Sequence, residues 1–166
     1  MTTLGTTGDT PQILLPMPGA RISQGFGENS EYYAQYGLRG HNGVDLASPE
    51  PGRYLTWHGF LVAAVADGLA TVAYDHAGYG LYVYVRGDGY DWLYAHLSEV
   101  IAHDGQTVQA GHVIGRVGYT GNVIPHGAAG THLHWGKRPN NPYHLDAGMR
   151  GYVDPLEHNE VERNMK

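Results

Sequence analysis

No stretch of this sequence sustains the apolar period of a packed helix; short alternating runs are cut by glycine instead. With 25 glycines, 13 tyrosines and few charged residues, the chain reads as many short strands joined by tight turns. Residues 21–27 alternate and end in glycine, like an edge strand entering a turn. The turn pair Asn42-Gly43 leads into a second strand starting at Val44. Residues 61–74 carry Val62, Val65 and Val72 around Asp67-Gly68, a hairpin signature. Strands are expected over 81–86 and 92–98, either side of Asp88-Gly89, and as shorter pieces at 107–108 and 113–117. Residues 28–40, 48–58 and 119–130 read as loops, and a short helix is expected from Asp154-Pro155 onward. The expectation is an all-β domain without internal linker or repeat.

At 166 residues the chain suits one domain with a sizeable core. A net charge of −6 argues against a nucleic-acid partner, which would call for clustered Lys and Arg. The absence of cysteine excludes disulfides and thiolate metal sites. No apolar run approaches the ~20 residues that span a bilayer. The polar, Gly/Thr-rich start lacks the basic and apolar regions of a secretory signal, so none is expected in this chain.

Eleven histidines are the unusual count, because imidazole is both a common metal ligand and a common general base. In Gly130-Thr131-His132-Leu133-His134-Trp135, a strand would point His132 and His134 to one face. Two such imidazoles can share a metal, or one can bind it while the other handles a proton; otherwise they are polar residues on a solvated face. His41 and Asp45 are four apart across Asn42-Gly43, which argues against a helix. A turn followed by a strand can also bring them together, with Gly43 letting the backbone fold closely. His96 is a further histidine in a strand pattern.

In this order, His41-x-x-x-Asp45, Tyr94-Ala95-His96-Leu97-Ser98 and His132-Leu133-His134 resemble the lysostaphin-type (LytM-type) zinc endopeptidases. That family cuts the peptide part of bacterial peptidoglycan. The glycine-rich run from Gly105 through Gly121 also resembles the family's approach to its His-x-His strand, and the similarity spans residues 20–157. The resemblance implies an antiparallel β-sandwich or barrel-like single domain of the duplicated hybrid motif type, with long loops around a groove. It implies one zinc ion held by His41, Asp45 and His134, with His132 as general base and His96 as a second catalytic histidine. Two neutral imidazoles and one carboxylate leave zinc a net positive charge, so a bound water can reach a pKa of about 7. No His-Glu-x-x-His motif offers a glutamate base, so a histidine would do that work. The sequence does not separate whether His96 holds the oxyanion or the water.

On this reading the metallopeptidase domain covers 12–158, between a flexible lead-in at 1–11 and a tail at 159–166. The chain would act on the bacterial cell wall, its partner being peptidoglycan. Lytic enzymes of bacteriophages also commonly lack export signals. The rivals are a non-catalytic wall-binding or hydrolase-activating module of the same fold, and a small cytoplasmic metal carrier. A degenerate module would lack ligands, whereas all five site residues are present. The loop before His132 is longer than expected for the family and adds Pro125 and His126, making His126 a candidate substrate contact. The loops at 28–40 and 49–60 also look extended; Tyr32, Tyr33, Tyr36 and Trp57 either line a peptide groove or pack those loops. His58, His76, His103, His112, His144 and His158 read as solvated.

Overall fold

The computed structural model describes residues 14–141 and 148–157. The lead-in, the tail, His144 and His158 lie outside the described residues. In chain order the strands are β1 (Arg21–Gln24), β2 (Val44–Ala47), β3 (Leu61–Ala63), β4 (Gly68–Asp75), β5 (Gly80–Arg86), β6 (Tyr90–Val100), β7 (Thr107–Val108), β8 (Val113–Val117) and β9 (Leu133–Pro139). Every pairing is antiparallel, in the order β1-β2-β9-β6-β5-β4-β7, with β8 joining β6 to β3. The antiparallel all-β domain expected from the sequence is what the structure shows, as one sheet that branches at β6. Among the described residues no helix is long and apolar enough to cross a membrane.

Alternation explains the main core. Val44 and Leu46 of β2, Val83 and Val85 of β5, Tyr94 of β6, and Leu133 and Trp135 of β9 are all buried in one apolar cluster with Val62 and Ile114. Their sequence neighbours point to the opposite face. There Leu93, Ala95 and Tyr152 form a smaller cluster against Tyr79, Tyr82 and Tyr84. Burying a Val or Leu side chain fully contributes about 1.5–3 kcal/mol, so the register is strongly held.

The branch is a bulge. Leu81 pairs with Leu97 but Val83 pairs with Tyr94, so β6 carries one extra residue there. That residue is accommodated at His96, whose φ is 63°. Before it, β6 pairs with β9; after it, with β8. Gly118 continues β8 past the branch, where any Cβ would come within 2.6 Å of the Ser98 nitrogen.

Three local expectations are corrected. Asp67-Gly68 does not turn a hairpin, because β3 pairs with β8 while β4 pairs with β5 and β7. Val62 is buried opposite Gly115, and a Cβ on Gly68 would lie 2.4 Å from the Arg86 carbonyl oxygen, so both residues answer to distant strands. The loops at 28–40 and 48–58 each hold one short helix, α1 (Ser30–Ala34) and α2 (Tyr54–Trp57). The described part of the expected terminal helix, 154–157, is a turn.

Candidate functional site

The site lies on the sheet face opposite the main core, and strand register assembles it. Asp45 on β2 is directly opposite His134 on β9, which is opposite Ala95 on β6. Their flanking residues Val44, Leu46, Leu133, Trp135 and Tyr94 anchor in the core, so Asp45 and His134 must face the other way. His132 shares that face, and the small side chain of Ala95 leaves space above β6. The bulge then shifts the alternation: Tyr94 and Leu97 are both in the core, so Ala95 and His96 fall together on the site face.

His41 arrives from the turn before β2. Its ring Nε2 is 3.1 Å from Asp45 Oδ1 and 2.9 Å from His134 Nδ1, while His134 Nδ1 is 3.1 Å from the same Oδ1. All three residues are buried. Gly43 permits the convergence, as a Cβ there would lie 2.7 Å from both His134 Cε1 and the Trp135 carbonyl oxygen. Tyr33 stacks on the His41 ring and Tyr79 on the His134 ring, and the Tyr79 hydroxyl accepts a hydrogen bond from Asn42.

Backbone carbonyls assign the tautomers. A carbonyl oxygen only accepts, so each imidazole nitrogen facing one must carry the proton. His41 Nδ1 donates to Gly25 O (3.1 Å), His96 Nδ1 to Thr120 O (2.8 Å) and His132 Nδ1 to Gly130 O (2.7 Å). In its neutral form each ring therefore presents an unprotonated Nε2. That of His41 faces Asp45 Oδ1 and His134 Nδ1; that of His132 faces Asp45 Oδ2 at 3.6 Å. The His96 and His132 rings meet edge to face, with centroids 4.7 Å apart. His134 turns Nδ1 to the cluster, leaving Nε2 buried without a hydrogen-bond partner.

The electrostatics follow from this packing. Burial alone would raise the Asp45 pKa, but wherever His132, His134 and His41 carry a proton toward it they outweigh burial and hold the carboxyl well below its usual range. Burial, reinforced by His132 and His134, lowers His96 to about 3 against the pull of Thr120 O and Asp45. Burial also lowers His134, against its hydrogen bond from Nδ1 to Asp45. Both rings are thus uncharged at neutral pH.

Lone pairs of His41 Nε2 and Asp45 Oδ1 point at one another with His134 Nδ1 beside them, an arrangement favourable around a cation. Donors about 2.1 Å from a tetrahedral zinc are separated by roughly 3.4 Å, a little wider than the observed triangle of 2.9 and 3.1 Å. His41, Asp45 and His134 are also the group whose ligand atoms all lie within 4.8 Å of one another among the described residues. The donor set fits a single divalent metal ion.

An open cleft of about 250 Å³ adjoins the cluster, bordered by His41, His96 and His134 and walled by Tyr32, Tyr33, Tyr36, Tyr79, Asn122 and Arg150. Sequence reasoning thus placed five residues that the structure brings together: His41, Asp45, His96, His132 and His134. His126 stands exposed in its loop and is not among the residues bordering the cleft. Trp57 stacks on Phe60 and packs against the core. His58, His76, His103 and His112 are exposed, as expected. Tyr79, Asn42 and the three carbonyls were missed. Thr120 read as an ordinary turn residue, yet its carbonyl fixes His96 and its hydroxyl bonds both Leu81 N and Leu97 O.

Residues 39–146 match the family described as Peptidase family M23. The DD-carboxypeptidase/endopeptidase Mpg of Neisseria meningitidis is 37% identical over 126 residues, covering 75% of this chain and 26% of that protein. The peptidoglycan DD-endopeptidase ShyA of Vibrio cholerae is 33% identical over 116 residues, covering 69% of this chain and 24% of that protein. The chain thus spans about a quarter of the length of these curated relatives. Among solved structures, the catalytic domain of the antimicrobial peptidase lysostaphin from Staphylococcus simulans superposes with a TM-score of 0.62 at 22% identity. That match covers 82% of this chain and 90% of the other, and it establishes likeness of fold.

Proposed function

Because the chain belongs to peptidase family M23, we propose that it is a zinc-dependent endopeptidase acting on amide bonds in the peptide cross-links or bridges of bacterial peptidoglycan. The observation that carries this reading is the buried triangle of His41 Nε2, Asp45 Oδ1 and His134 Nδ1, with the imidazoles of His96 and His132 beside it. The family of the chain and the names of its relatives support a wall substrate. It would then work at the bacterial cell wall.

In this reading His41, Asp45 and His134 hold the metal. When bound, zinc supplies Lewis acidity, activating water and polarising the scissile carbonyl. His132 is the general base: its proton is fixed on Nδ1 by Gly130 O, so Nε2 is free to take a proton from the attacking water. The same Nε2 then delivers that proton to the departing amine. His96 has its Nδ1 proton engaged by Thr120 O, so its neutral ring accepts a hydrogen bond at Nε2. It orients water; it does not donate to an oxyanion. Asp45 Oδ2, facing His132, stabilises the imidazolium formed during proton transfer.

The test measures bound zinc and newly released amino groups from purified peptidoglycan, for wild type and His132→Ala. Both proteins are expected to bind one zinc, with the variant slower by about 10²–10⁴-fold. Full zinc with no amine release by either protein would sink the enzyme reading and favour a wall-binding module of the same fold.

A further inference from the structure

Arg150 and Asp75 are the charged side chains, besides the histidines, that border the cleft. Asp75 is engaged by its own turn, its two oxygens accepting hydrogen bonds from Ala77 N (3.0 Å) and Tyr79 N (3.4 Å). Arg150 is differently placed. Its Nη2 donates to the Tyr36 carbonyl at 2.9 Å, and it has no carboxylate partner among the described residues. One of its five N–H donors is thereby used, and the guanidinium is exposed.

Its position is built from both sides. Arg39 N donates to Gly148 O at 2.9 Å, and Arg150 reaches back to Tyr36, so residues 148–150 and 36–39 are tied together. The Tyr36 hydroxyl in turn bonds Tyr32 and Asn122 on the same wall. Arg150 holds a left-handed backbone, φ 53°, a conformation that costs about 1–3 kcal/mol and persists where its surroundings enforce it. It also lies beyond the family-matched segment, 39–146.

We propose that Arg150 is a specificity residue that binds a free carboxylate of the substrate, carried on the carbon next to the scissile nitrogen. This rests on the peptidase reading above and deepens it. Arg150 borders the same cleft of about 250 Å³ as His41, His96 and His134, so a group held by Arg150 shares that space with the histidines. Guanidinium pairs with carboxylate through parallel charge-assisted bonds. A cross-link made through a D-centre, and a C-terminal D-alanyl-D-alanine, both leave a carboxylate beside the scissile nitrogen. An internal glycine bridge has an amide there. The cleft therefore selects D-amino-acid bonds over glycine bridges.

The experiment uses the zinc-loaded protein and two substrate pairs. One pair is a peptide ending in D-alanyl-D-alanine, as free acid and as C-terminal amide. The other is a cross-linked peptide dimer with the carboxylate next to the scissile nitrogen either free or amidated. The pair that shows the preference tells a terminal carboxylate from a cross-link one. Wild type should favour the acid by about 10- to 100-fold in kcat/KM, mainly through KM, in at least one pair. Arg150→Gln should bring that ratio close to one, while Arg150→Lys keeps part of it. A merely structural role would slow acid and amide alike and leave the ratio intact, which overturns the proposal. Calorimetric binding of the same peptides to zinc-loaded His132→Ala, with and without Arg150→Gln, separates the two failures. Equal affinity for acid and amide overturns the Arg150 assignment. A preserved binding preference with no cleavage of any peptide supports it while the peptidase reading fails.

Discussion

Two aspartates are buried on the same face of the sheet, and their neighbours make them opposite in character. Asp91 sits opposite Arg86 on β5 and Arg138 on β9, accepting from Arg86 Nε (2.9 Å), Arg86 Nη2 (3.1 Å) and Arg138 Nη2 (3.1 Å). Burial pushes its pKa up, but the two guanidinium groups outweigh that and lower it. Asp45 occupies the equivalent kind of place on β2, between β1 and β9, with three imidazoles around it. Arginine stays charged at any working pH, so Asp91 is a finished ion pair. His41 and His134 offer Asp45 lone pairs or shared protons, so on the proposed reading a bound metal ion completes its charge balance. The difference teaches that a buried carboxylate becomes a structural clasp or a metal ligand according to whether its partners carry fixed charge.

The largest effect expected from this contrast is at Asp45. Asp45→Asn keeps the shape but removes the anionic donor, and zinc occupancy and amine release should both fall to background while the fold persists. A variant that still binds zinc fully would break the comparison. A smaller effect is expected at Gly43→Ala, whose methyl would lie 2.7 Å from the His134 ring. Displacing that ring should weaken zinc binding by about 10- to 100-fold, the range for disturbing a ligand's support, as measured by competition with a chelating dye.

The smallest effect falls on the other aspartate. Asp91→Asn should leave zinc content and activity near wild type and cost about 1 kcal/mol, because the exposed guanidinium groups of Arg86 and Arg138 are screened by solvent. That corresponds to roughly 2–4 °C in Tm. Since the folded pKa of Asp91 is depressed, its stabilisation is complete above the unfolded carboxylate value, about 3.9, and is lost as pH falls through the folded value. Wild type and Asp91→Asn should therefore differ in Tm at neutral pH and converge at strongly acidic pH. A gap that persists in acid would mean that packing, rather than charge, holds this cluster.

Much of this was legible in the sequence because the relevant rules are local. Alternation in Leu133–His134–Trp135 and Val44–Asp45–Leu46 already separates core residues from site residues, and Asn42-Gly43 already marks a close turn. Asp67-Gly68 shows the limit. It has the residues of a hairpin, yet the long-range pairing of β3 with β8 and β4 with β5 overrides it.

By itself, then, the sequence determined the all-β class and the shared face of His132 and His134, which follow from side-chain periodicity and turn chemistry within a few residues. The antiparallel arrangement and the set of five site residues followed from the family resemblance of its motifs. Only the tertiary structure decided that His96 joins that face. Strict alternation would send it to the core beside Tyr94, and the bulge that prevents this exists because β6 serves β9 on one side of it and β8 on the other. Tertiary structure likewise chose the carbonyls of Gly25 and Thr120 that set the tautomers of His41 and His96, and it brought Arg150 to the cleft. A carbonyl carries no side-chain signal, and contacts across 16 to 114 residues are settled by packing.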